Sequence, residues 1–447
     1  MDLFFSINKF FLVFNKSIGY SFLSKGWLLI SGLVTSFLIA THFSPELQGY
    51  YYAFNSLLVL TVFAELGLTS VLVNFISHEW LKIDIDENGD PFGDPNSISR
   101  LMGLFHFSIK WFLCASMLIT MVLVIIGWLF WNESGGTDIE WRGPWILLSI
   151  VTGLNLIFLP MSAILEGCNQ IENLYKYRFI QYLVSSAVMW VGIAVGIGLW
   201  VASLSAFFGL VTLIYLSWKK YSSFFKGLLL NGPQYDQINW RYDVLPMQWR
   251  IALSWIGGYF TFALFVPILF RYHGPVLAGQ MGMTWAFIGA LMSISSAWIA
   301  PHGPGFGLLV AGKNYFELDE RFKIIFIANI FLMLIGSAMI LVGLIYLNYL
   351  HPILAQRLLP PSITAVFLVS TVVYTMGLPL ATYLRAHKRE PLTGVSVFGG
   401  ILNGLMVIIL GVKFGAMGIA TGYLFSNLII FPFLLRIWLN KRREWHR

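Results

Sequence analysis

Charge and cysteine are both scarce in this chain. Only 11% of its 447 residues are Asp, Glu, Lys or Arg, against 57% apolar residues, and the mean hydropathy is +0.75. Soluble domains carry about 25% charged residues, so that class is excluded. The two cysteines, Cys114 and Cys168, fall within or at the end of apolar stretches. They form neither a disulfide framework nor metal-ligand spacing. No Gly-rich loop ending in Lys-Ser/Thr occurs, which argues against direct ATP hydrolysis. The first twenty residues lack a small-residue cleavage site, and Asp2, Lys9 and Lys16 interrupt their apolar run, unlike a signal peptide. Phe4, Ile7, Phe11, Phe14 and Ile18 recur at helical spacing and predict an interfacial helix leading into the first span.

What remains is apolar sequence in span-sized pieces. A membrane helix needs about 20 such residues, and segments 21–41, 50–76, 103–131, 144–165, 179–199, 201–218, 249–270, 279–301, 322–347, 361–384, 392–411 and 416–438 qualify. The expected fold is an all-α integral membrane protein of about twelve transmembrane helices. All but four of the 28 Lys and Arg residues (Arg142, Arg271, Arg357 and Lys413) then fall on one side. Cytoplasmic loops retain Lys and Arg, so both termini are expected in the cytoplasm. That topology accounts for the net charge of +7, and no nucleic-acid partner is expected.

Two longer connections are cytoplasmic in this topology. Residues 84–90 resemble the start of a calcium loop, but Pro95 stands where the bidentate Glu belongs. The Asn88-Gly89 pair predicts a solvated hairpin instead. Segment 219–248 interleaves Lys219, Lys220 and Lys226 with Phe224, Phe225 and Leu228, an amphipathic connector on the inner membrane surface. It separates an N-terminal lobe, 1–218, from a C-terminal lobe, 249–447.

The lobes look like a repeat. Pro45 to Gly49 opens the second span of the first lobe, and Pro275 to Gly279 opens the second span of the other. Leu159-Pro160 and Leu378-Pro379 mark the fourth span of each. Six spans per lobe make this a parallel repeat about an axis along the membrane normal, with a central cavity between two lobes. Pro160 and Pro379 predict kinks. Gly32, Gly257, Gly258, Gly399 and Gly400 predict close helix approach.

Ionisable residues inside the membrane are the specific signal. A charge at the bilayer centre costs at least about 2.5–3.5 kcal/mol on insertion scales and faces a bundle interior or cavity. Glu65 lies deep in the second span, Lys25 at the cytoplasmic end of the first, Lys110 two turns into the third beside His106, and Arg250 opens the seventh. His42 and Arg271 lie near periplasmic ends, and His302 near a cytoplasmic end. Lys25, Lys110 and Arg250 form a candidate cationic rim suited to phosphate or pyrophosphate. The candidate substrate-binding set is Lys25, Glu65, Lys110, Arg250 and Arg271. Glu65 either pairs with Lys25 or Lys110, or carries a coupling proton.

Leu23 to Trp27, Phe43 to Tyr52, Glu65 to Leu68, Ser77 to Trp80, Trp298 to Gly307, Glu317 to Phe322 and Gly415 to Ala420 together resemble the polysaccharide-export branch of the MOP flippase superfamily. The resemblance implies two six-helix lobes working by alternating access. It implies a polyprenyl-pyrophosphate-linked, O-antigen-like oligosaccharide carried from the inner to the outer leaflet of the bacterial inner membrane. Membrane lipids and other polysaccharide-assembly proteins are the implied partners. By motif it weights Lys25 and Glu65; His302-Gly303 departs from the pattern where a Lys is expected. No cofactor is expected, and the coupling ion, H+ or Na+, is left open. A cation-coupled multidrug antiporter of the related MATE branch is the alternative, and Glu65 is its one mid-membrane acid. A membrane-embedded glycosyltransferase or polymerase fits less well. The longest periplasmic connections, 132–143 and 348–360, are about a dozen residues, and Glu133, Asp138 and Glu140 show no paired architecture.

Overall fold

The computed structural model describes residues 2–85, 91–132, 139–230, 232, 238–387 and 389–446, with side chains described for all of these except 2–18, 22, 85, 250 and 254. The helices are α1 (Asp2–His42), α2 (Pro45–Leu58), α3 (Val62–Glu65), α4 (Leu68–Glu79), α5 (Pro95–Asn132), α6 (Arg142–Gly167), α7 (Ile171–Val195) and α8 (Trp200–Leu230). After a π-helical turn at Trp240–Val244 follow α9 (Leu245–Phe262), α10 (Phe265–His273), α11 (Pro275–Ile299) and α12 (His302–Ala311). The remainder are α13 (Tyr315–Leu350), α14 (Pro352–Ala355), α15 (Pro361–Ala386) and α16 (Thr393–Trp445).

Among the described residues ten helical stretches are long and apolar enough to cross a membrane, and the bent pair Pro45–Glu65 with Leu68–Lys82 makes eleven. The twelfth is hidden in α16, whose 53 residues would extend about 80 Å against a core of about 30 Å. Gly415 breaks it with φ 60° and ψ −140°. Beyond that point the chain folds back on itself. A Cβ on Gly418 would lie 2.0 Å from the Leu410 carbonyl oxygen, and one on Gly422 would lie 3.1 Å from that of Met406. Residues 406 and 422 would be about 24 Å apart in an unbroken helix. The pair is therefore an antiparallel hairpin, in agreement with the expected spans 392–411 and 416–438.

Two compact units emerge, Met1–His42 with Leu60–Ala252, and Phe43–Val59 with Leu253–Arg447. The division is not a simple cut between sequence halves, because α2 belongs with the second unit. The reason is the repeat motif itself. Gly49 of α2 and Gly279 of α11 face one another so closely that a Cβ on Gly49 would lie 2.0 Å from the Pro275 carbonyl oxygen, and one on Gly279 would lie 2.9 Å from the Gly49 nitrogen. Gln48, buried beside them, donates to the carbonyls of Gly279 and Arg357, each at 2.9 Å. The two matched Pro-x-x-x-Gly segments are thus the two sides of one helix crossing.

In the first unit α1 packs on α7, where Trp27 Nε1 donates to Ser186 Oγ at 3.1 Å and Trp190 Nε1 to Thr35 Oγ1 at 2.9 Å. Helix α1 is continuous from Asp2, so the expected interfacial segment is an extension of the first span. Segment 219–230 is an extension of α8 past a non-helical Tyr221. Its apolar face is covered by protein: Phe224, Phe225 and Leu228 are buried, with Phe225 6.0 Å from Phe105 and Phe224 6.4 Å from Trp80. That burial differs from the membrane-surface connector read from the sequence. Of the rest of the connector, 231 and 233–237 lie outside the described residues, and 240–248 form the π-helical turn and the start of α9.

The expected hairpin is present. Ile83–Ile85 pairs antiparallel with Pro91–Gly93 (β1 and β2), Asp84 opposite Phe92, while 86–90 lie outside the described residues. Asp94 then caps α5, accepting from Ser97 N at 3.1 Å and Ser97 Oγ at 2.9 Å. Those bonds hold its carboxyl below the usual range. Glu133 and Asp138 lie outside the described residues.

The second unit is held by small residues and buried polar pairs. A Cβ on Gly400 would lie 2.6 Å from the Gly257 carbonyl oxygen, as expected of both glycines, whereas Gly32 and Gly258 have nothing within 4 Å. Ser295 Oγ donates to Asn329 Oδ1 at 2.6 Å, and Asn329 Nδ2 to the Thr375 carbonyl at 3.2 Å. Such bonds join helices where apolar burial gives no driving force. Prolines Pro160 and Pro379 sit inside α6 and α15.

Candidate functional site

The second span is broken beside Glu65. Helix α3 ends at Glu65, Leu66 and Gly67 both adopt left-handed backbone (φ 48° and 69°), and α4 restarts at Leu68. The two parts are bent by 47°. A left-handed non-glycine residue costs about 1–2 kcal/mol, so Leu66 marks an imposed conformation. Gly67 is required twice: its φ favours glycine, and a Cβ there would lie 2.3 Å from Ile251 Cγ2 of α9. The break leaves the Ala64 carbonyl without a helical donor; Trp111 Nε1 of α5 supplies one at 3.2 Å. Trp111 and Phe107 in turn lie 5.8 Å and 3.9 Å from Trp240, the latter pair stacked. Three elements therefore converge on the break.

Glu65 points into a polar cavity of about 430 Å³ within the first unit. Its carboxylate accepts from the Thr69 hydroxyl on the first turn of α4, at a helix N-terminus that favours negative charge. Ser70 and Asn74 of α4, Ser162 and Glu166 of α6, and Arg178 of α7 complete the polar lining. Arg178 Nη2 stands 3.9 Å from Glu166 Oε2, a loose pair that leaves both groups room to engage something else. Helices α4 and α6 approach closely at Gly167, whose Cβ would lie 2.7 Å from Ile76. Two carboxylates, one guanidinium, hydroxyls and an amide suit exchange of a small cation or a polar group against Arg178.

The predicted site residues do not all join this cavity. Lys25 on α1 and Lys110 on α5 are exposed and belong to the same unit. Among the described residues neither makes an ion pair, and Glu65 pairs with neither. His106 next to Lys110 is spent on the Leu229 carbonyl at 3.2 Å, tying the end of α8 to α5. Arg250 falls in the first unit, and its side chain lies outside the described residues; its neighbour Ile251 packs on Gly67. Arg271 is exposed on α10 in the second unit. His42 bonds its own helix at the Leu38 carbonyl, 3.1 Å, and His302 lies 5.7 Å from Trp298. Sequence reasoning missed Thr69, Glu166 and Arg178 as site residues. The spacing Glu65 to Thr69, one helical turn, was the available signal.

Solved structures resemble this one over almost its whole length. The MATE multidrug transporter DinF-BH superposes with TM-score 0.61 at 12% identity over 96% of this chain and 95% of that one. The lipid II flippase MurJ in an inward closed conformation gives 0.54 at 16% identity, over 94% and 86%. A MOP-superfamily transporter from Pyrococcus furiosus, described as having a binding pocket of reversed polarity, gives 0.55 at 13%, over 97% and 96%. The fold is that of the MOP-superfamily transporters. Identities this low carry the fold alone. No protein-family model and no curated protein sequence matches the chain.

Proposed function

We propose that this multi-pass membrane protein is an alternating-access transporter that moves a lipid-linked oligosaccharide, with a polyprenyl-pyrophosphate head, from the inner to the outer leaflet of a bacterial inner membrane. The observation that carries transport is the interrupted second span, with Glu65 turned into a polar cavity. Broken helices expose backbone and polar groups at membrane depth where a moving solute or ion needs them. The MurJ likeness supports a lipid-linked substrate. The exposed cations Lys25 and Lys110, on the side assigned to the cytoplasm by the Lys/Arg distribution, support an anionic head group.

A second reading, cation-coupled multidrug export, has its own support in the Glu65 and Glu166 carboxylates that share the cavity and in the MATE likeness. Proteoliposomes separate the two. The flippase reading expects protein-dependent translocation of polyprenyl-pyrophosphate oligosaccharide, reduced at least tenfold when Lys25 and Lys110 are both changed to Ala. Cation-driven drug uptake without any lipid-linked sugar translocation would replace it with the antiporter reading. Glycosyl transfer by the purified protein would overturn both.

A further inference from the structure

A short strap crosses one end of the second unit. Residues 351–360 join α13 to α15 and contain α14, on the side that the Lys/Arg distribution assigns to the periplasm. Pro352 and Pro360 limit its backbone freedom. The strap is fixed to α11 at two points. Gln280 Nε2 donates to the Gln356 carbonyl at 2.8 Å, and the buried Leu359 N donates to Thr284 Oγ1 at 2.9 Å. Between these anchors Arg357 reaches towards α2. Its Nη2 donates to the Phe43 carbonyl, in the turn between α1 and α2, at 2.6 Å. Its own carbonyl accepts from Gln48 Nε2 of α2 at 2.9 Å. Glu46, on the first turn of α2, attracts the guanidinium. The strap thus ties α2 to α11 where Gly49 and Gly279 cross.

Three features suit this tie to being made and released. The chain enters α2 from His42 and leaves it into Leu60, both of the first unit, so movement of one unit against the other pulls on this helix. The crossing is made by two glycines, which let backbones approach but add little side-chain burial; the polar bonds of Arg357 add the hold that burial does not. Arg357 also carries a standing cost, since its Nη1 is buried without a partner and regains hydrogen bonds once it reaches water.

We propose that Arg357 is a latch in the transport cycle: its bond to the Phe43 carbonyl keeps α2 against α11, and its release lets α2 part from α11 and opens that crossing to the outside. The inference rests on the alternating-access reading above. Ala53 is the reporter, fully buried on α2 (0% exposed) and one helical turn from Gly49 on the same face. The full chain, with Cys114 and Cys168 replaced by Ala and carrying Ala53→Cys, is treated in right-side-out membrane vesicles with a membrane-impermeant maleimide. A hydrogen bond to a charged donor shifts an equilibrium about ten- to a hundredfold, so Arg357→Ala should speed labelling at least tenfold. The thermal unfolding temperature should be retained. Arg357→Lys keeps a charged donor and should label more slowly than Arg357→Ala. Should Arg357→Ala fail to fold, Arg357→Met keeps the apolar stem, removes the donors and should show the same acceleration. Unchanged labelling, acceleration only alongside a lowered unfolding temperature, or labelling confined to inside-out vesicles would overturn the latch. Labelling that follows Arg357 in a protein translocating neither lipid-linked sugar nor drug would leave the latch standing and remove the transport reading; translocation with labelling indifferent to Arg357 would do the reverse.

Discussion

Gly67→Ala tests the break in the second span most directly. Two separate costs follow from the structure. Alanine must hold φ 69°, which disfavours a residue with a Cβ by about 1–2 kcal/mol. Its methyl must also displace Ile251 Cγ2 from 2.3 Å, and overpacking of that kind costs about 1–3 kcal/mol. Equilibrium unfolding in mixed micelles should therefore show a loss of about 2–5 kcal/mol. The two parts separate in a double-mutant cycle: with Ile251→Ala the overpacking part is relieved and the backbone part stays, giving a coupling of about 1–3 kcal/mol. Transport should fall further than stability, because straightening the helix withdraws Glu65 from its cavity. A loss below about 0.5 kcal/mol, the ordinary range for a neutral surface change, together with wild-type transport, would refute the argument that the left-handed pair is built to place Glu65.

Glu65→Gln keeps the size and the Thr69 contact, so the fold should survive while transport drops at least tenfold in proteoliposomes; unchanged transport with lowered stability would make Glu65 structural. Trp111→Phe removes the donor to the Ala64 carbonyl and should cost about 1–2 kcal/mol in the same unfolding assay; no measurable loss would mean that another donor replaces it. Gly49→Val places a branched side chain where even a Cβ lies 2.0 Å from the Pro275 carbonyl oxygen, and size-exclusion chromatography should show no monodisperse protein; a normal profile would contradict the tight crossing of α2 and α11. Beyond the spans, burial pushes the His387 and His446 imidazoles below their ordinary value near 6.5. His446 stacks on Tyr315 at 4.1 Å and contacts the Tyr383 hydroxyl, beside the Asp319–Arg442 ion pair at 2.6 Å, with Arg389 also acting on His387. Because the folded pKa values are depressed, this C-terminal contact is fully stable above about pH 6.5 and weakens as pH falls through the lowered values. Hydrogen exchange of residues 438–446, corrected for intrinsic rate, should accelerate on acidification; unchanged protection would sever the link.

Most of the span pattern was legible in one dimension because the bilayer imposes it. Span length and most of the expected segments, including the pair hidden in α16, follow from solvent and local sequence. Glu65 was equally legible, since a carboxyl so far from either helix end demands a polar surrounding. Its surroundings were not. Thr69 lies one turn away, but Glu166 and Arg178 reach the same cavity from α6 and α7, and only side-chain placement joins them. The amphipathic look of 219–230 misleads for the same reason, because an apolar face reads alike whether lipid or protein covers it.

The matched Pro-x-x-x-Gly segments illustrate the division. The sequence by itself determined that two helices begin alike. Only the tertiary structure decided that Gly49 and Gly279 are each other's neighbours and that α2 therefore packs with the second unit. Hydropathy and charge act on each residue through its solvent, which local sequence encodes. Close approach and shared cavities depend on pairs of residues distant in the chain, and no single stretch of sequence holds both members.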